Sequence, residues 1–108
     1  MERRFTKNEL RQLRELAALA HERALEDALE PLYEDFLKWA DDGHSAFDLN
    51  DLIHQFHNGI SRELYKLYVL DPPHLAVIAG LECKALSKLD FDSELYGKVA
   101  PLLDVFDE

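Results

Sequence analysis

Two imidazoles three residues apart, in the segment His54-Gln-Phe-His57, could share a metal ion if the segment is helical, because residues three or four apart lie on one helical face. A catalytic zinc needs three protein ligands and an open position. The third ligand would have to come from Glu82, His21 or His74 through the fold. The chain has neither an HExxH motif nor the Glu-x-x-His pairs of di-iron bundles. A metal-binding or hydrolytic bundle on His54, His57 and Glu82 therefore stands as the alternative reading, and no cofactor is expected. Glu82 falls within an apolar stretch, where burial can raise a carboxylate's pKa, the way a general base is prepared. A residue so placed can equally reach a lysine or histidine on a neighbouring helix, or keep its charged head at the rim of the core.

Other reactive types are isolated. Cys83 has no Cys or His near it in sequence to activate a thiolate, and with Leu81 and Ala85 beside it reads as a small buried residue. The four glycines, Gly43, Gly59, Gly80 and Gly97, are scattered and form no phosphate loop. Arg14 and His21 have six residues between them. That spacing is similar to the R-x(4–6)-H pair of the helical HEPN ribonucleases, over these two residues alone. In that family the pair belongs to a late helix, whereas here it falls in the first, so membership is not implied.

A better organised set is His54, His57, Ser61, Tyr65 and Tyr68, which recur three or four apart beside an apolar face. Tyrosine and histidine bury ring area while keeping a polar tip wet, as protein interfaces require. These five are the candidate partner-binding residues; no catalytic residue is assigned.

The elements that must position them are helical. Thr6 and Glu9 have the capping-box spacing, with Phe5 and Leu10 as a hydrophobic staple. Leu10, Leu13, Ala17, Ala20 and Ala24 continue one face, and Ala28, Leu32, Phe36 and Trp39 carry it on to Asp42 and Gly43. Pro31 interrupts this stretch and predicts a kink. Some 36 helical residues span about 54 Å, against a radius of gyration of about 13 Å for a compact chain of this length. Either the helix bends near Pro31, or its first half projects onto a second subunit.

A second helix is expected from an Asp48 cap, stapled by Phe47 and Leu52, through Tyr68, with Gly59 packing closely against the alanines of the first. A third follows Asp71-Pro72-Pro73, capped by Asp71 with Leu70 and Leu75 as staple, and runs to about Lys88 with Leu86 and Leu89 on its apolar face. A fourth begins near Ser93 and is bent or split at Pro101. Short loops predict antiparallel neighbours. The expected fold is all-α: one domain, a small antiparallel bundle of three to four helices, with a flexible basic N-terminus at 1–5 and an acidic tail at 104–108.

With 108 residues, 47% of them hydrophobic, the chain can build a core. Its single cysteine excludes an internal disulfide and suits a reducing compartment. The charged start lacks an apolar run behind it, so neither signal peptide nor membrane span is expected, and the cytoplasm is the expected location. The net charge is −10; five basic residues against two acidic ones give residues 1–14 a net +3, which leaves −13 for the remainder. An acidic body disfavours nucleic acid and anionic membrane and suits a basic protein partner. The reading is a non-enzymatic helical interaction or regulatory module, self-associating as a homodimer.

Overall fold

In the computed structural model, which describes residues 5–43 and 45–106, helix α1 (Lys7–Asp42) opens as its local sequence dictates. Thr6 Oγ1 accepts the Glu9 N–H at 3.1 Å, and a Glu9 carboxylate oxygen accepts the Thr6 N–H at 2.9 Å. Phe5 is buried and Leu10 packs on the same core. At the far end Gly43 takes φ 66° and donates its N–H to the Trp39 carbonyl at 3.1 Å, the left-handed cap that a residue without Cβ makes at low cost. Residues 1–4 of the basic N-terminus and 107–108 of the acidic tail lie outside the described residues.

The kink expected at Pro31 is not confirmed: α1 continues as one helix through Pro31, which is exposed on it. The change of direction falls instead in the next segment. There α2 (Ala46–Phe56) continues through a π-type turn (His57–Ser61), the single turn α3 (Arg62–Tyr65) and a second π-type turn (Lys66–Leu70). Gly59, at φ −98° and ψ −108°, leaves the helical region and kinks the chain, glycine and π-bulges being usual places for such a break. The α2 cap is Ser45, whose hydroxyl accepts the Phe47 N–H at 3.1 Å, so the helix starts earlier than an Asp48 cap implies. Phe47 is 82% exposed and does not staple.

Helix α4 (Pro73–Glu82) begins with proline at its first position, and no side chain caps it, Asp71 included. It stops at Glu82, short of the expected Lys88, because Lys84 adopts φ 66°, a conformation that cannot continue a right-handed helix. Two consequences correct the sequence expectation. Glu82 is exposed at the helix end, and Leu86 is buried whereas Leu89 is 94% exposed. After a 3₁₀ turn (Lys88–Asp90), α5 (Ser93–Phe106) runs through Pro101 without splitting. Its first free N–H groups, of Glu94 and Leu95, donate to the Asp92 carboxylate at 3.3 and 3.4 Å.

The core lies at one end of the molecule. Phe5, Leu13, Leu16, Ala17 and Ala20 meet Ala76, Val77 and Ile78 of α4, Leu95 and Val99 of α5, and Tyr68 and Leu86. The close approach of backbones is at Gly80, where a Cβ would stand 3.0 Å from the Ala20 Cβ and 2.9 Å from Leu86 Cδ1. Gly59, expected in that role, has no atom within 4 Å of such a Cβ. Two ion pairs tie distant segments to α1. Lys98 Nζ stands 2.7 Å from Glu9 Oε1. Arg23 forks onto both Asp90 oxygens at 2.8 and 3.1 Å and donates to the Ala85 carbonyl at 3.0 Å.

Thus the fold is an all-α bundle, without strands among the described residues, but an elongated one. It measures 59 × 29 × 26 Å with a radius of gyration of 17.6 Å, against about 13 Å for a compact chain of this size. The first half of α1 is enclosed by α4 and α5. The second half projects, paired with α2 and α3 as a helical hairpin arm, and no residue of α2 or α3 is buried.

Candidate interaction surface

The arm carries large apolar side chains on its outside. On α1, Leu29, Tyr33, Phe36 and Leu37 are exposed, Tyr33 to 61%; together they span about 100° of the helix surface, the width of an apolar face. Ile53, Ile60 and Tyr65 are exposed on the returning segment, and Phe47 stands out at the arm's tip. Glu26, Glu30 and Glu34, four residues apart and exposed, run as an acidic edge along the same helix. The returning segment contributes His54, His57, Arg62 and Lys66, also exposed. Monomeric proteins rarely leave contiguous apolar patches beyond a few hundred Å² uncovered.

The ridge expected from sequence is only partly assembled. His57, Ser61 and Tyr65 line one groove of about 330 Å³ with Asn58 and Arg62, beside the Gly59 kink. His54 is exposed but does not line it. Tyr68 does not belong to it. The π-type turn after Tyr65 rotates Tyr68 into the core, where it stacks on His21 with ring centroids 5.7 Å apart and its hydroxyl lies 3.4 Å from Cys83 Sγ. Burial pushes the phenol's pKa up, and the thiol contact adds to this. Cys83, expected to be buried, is exposed, because it caps the end of α4 instead of lying within it.

Arg14 and His21 line a larger groove of about 570 Å³ with Tyr68 and Asp71. At the arm's tip a smaller one, about 200 Å³, lies among Asp35, Lys38, Trp39, Asp48, Leu49 and Leu52. The Trp39 Nε1–H there is buried without an acceptor among the described residues. Among those residues no three His, Cys, Asp or Glu side chains gather as a metal-holding group, so His54, His57 and Glu82 do not converge. No helix among them is long and apolar enough to cross a membrane.

The Glu9–Lys98 and Arg23–Asp90 pairs were not legible in sequence, since each joins residues more than sixty positions apart. Of the apolar stripe, the sequence spacing puts Phe36 in the inward seam and Leu29, Tyr33 and Leu37 between seam positions. Comparison of the chain with family models, curated proteins and solved structures returns no match.

Proposed function

We propose that this chain is a non-enzymatic helical interaction module, with the arm formed by the second half of α1, α2 and α3 as its binding surface. The observation that carries the reading is the exposed stripe of Leu29, Tyr33, Phe36 and Leu37 on a hairpin whose returning helices bury no residue. An apolar surface of this kind takes up the apolar face of another helix or helix pair, read through anchors at helical spacing. The acidic edge of Glu26, Glu30 and Glu34 favours basic groups flanking the partner's apolar face. Binding there would regulate whatever the partner does by covering or presenting that face.

Site-specific photo-crosslinking in the native cell tests this. A photoreactive residue at Leu37 or Ile53 is expected to trap a protein. The same residue at Leu89, equally apolar but off the arm and 94% exposed, is expected to trap none. Trapping from Leu89 but from neither arm position would overturn the reading.

A further inference from the structure

We propose that the occupant of the arm is a second copy of this chain, seated stripe to stripe so that two hairpins complete a four-helix bundle. The proposal rests on the reading of the arm as an interaction surface and names its partner.

Area is the first argument. The chain exposes 7807 Å², whereas a compact monomer of its mass exposes about 6,200 Å². The excess, about 1,600 Å², falls within one subunit's share of an obligate homodimer interface, about 1,000–2,500 Å² per chain. The arm is where exposed large apolar side chains gather, with Leu29, Tyr33, Phe36 and Leu37 on α1 and Ile53 and Ile60 on the returning segment.

Geometry is the second. A hairpin of two helices can shield only the sides that face each other, and its remaining apolar side chains need another layer. With the core at one end of a 59 Å molecule, antiparallel arms overlap along their length and keep the two cores apart. A two-fold axis perpendicular to the stripe makes the contact isologous, the same patch serving both subunits.

The same axis lays α1 of each copy along α1 of the other, so the acidic edges of Glu26, Glu30 and Glu34 flank the contact and pairing is expected to strengthen as salt screens them.

The test is absolute mass in solution, by light scattering or sedimentation equilibrium, across a concentration series of the purified full chain. The wild type is expected at twice its 12.5 kDa chain mass. Tyr33→Glu and Leu37→Glu, both at exposed positions, are expected to fall to the single-chain mass with helical circular dichroism retained, while Leu89→Glu stays dimeric. A wild type that remains monomeric at the top of the series overturns the proposal, and so does a dimer that persists in both stripe variants. The two readings fail separately. A monomeric wild type whose Leu37 still crosslinks another protein removes the second copy and leaves the interaction module standing. Failure of the arm to crosslink anything, together with a monomeric mass, removes both.

Discussion

Glu9 joins the first turn of α1 to α5. Its carboxylate accepts the Thr6 N–H at 2.9 Å and the Lys98 ammonium at 2.7 Å. The hydrogen bond from Lys98, then that from the Thr6 backbone, hold its pKa below the ordinary value of 4.5. Asp90, held by Arg23, is lowered in the same way from 3.8. A carboxylate depressed in the folded state contributes stability that is complete above its unfolded pKa and is lost as pH falls through its folded one. The thermal midpoint should therefore stay level from neutrality down to about pH 5 and then drop. Glu9→Gln should lie below the wild type at neutral pH and approach it in acid, as followed by circular dichroism melts at a series of pH values. Parallel curves separated by a constant gap would count against the ion pair. The Thr6–Glu9 half of this arrangement was legible because a capping box is local. Its Lys98 half was not, because nothing near residue 9 encodes what the fold brings from 89 positions away.

Helix contacts turn on which small residue meets which neighbour, and sequence patterning alone chose the wrong one. Gly59 and Gly80 both fall within stretches that read as helical. Packing separates them. A methyl group at position 80 would press on Leu86 Cδ1 and the Ala20 Cβ, and one at position 59 would meet nothing. Gly80→Ala should destabilise by about 1–3 kcal/mol, the usual cost of overpacking, as a lower urea midpoint with an unchanged slope. Gly59→Ala should leave the core untouched and act only on the direction of the kink. The same contrast explains the boundaries. Ser45 replaced Asp48 as a cap and Lys84 ended α4 early, because serine and aspartate both cap helices and a lysine gives no warning of a left-handed conformation. Pro31 and Pro101 sit within continuous helices, where neighbouring turns outweigh a lost hydrogen bond.

At the scale of the whole molecule, helicity and capping made the all-α class legible, but the division into core and arm was not. The apolar pattern of α1 runs on from Ala17 and Ala20 to Ala24 and Ala28 without a break. Only the arrival of α4 and α5 beside the first half decides which part is enclosed. This division has a dynamic consequence. Local opening costs least where few apolar side chains are buried, and α2 and α3 bury none. In dilute solution amide hydrogens of residues 46–65 should exchange well ahead of those around Leu13, Ala20 and Val77, which are fully enclosed. If two arms pair, raising the protein concentration stabilises the paired form by mass action. Exchange in 24–42 and 46–65 should then slow, while the innermost core amides, already limited by the larger openings, respond least. Hydrogen exchange followed by mass spectrometry at two concentrations reads this directly. Arm rates that ignore concentration would mean that no second chain covers the stripe under those conditions, and arm rates as slow as the core's in a monomer would mean that the hairpin is stable without any partner.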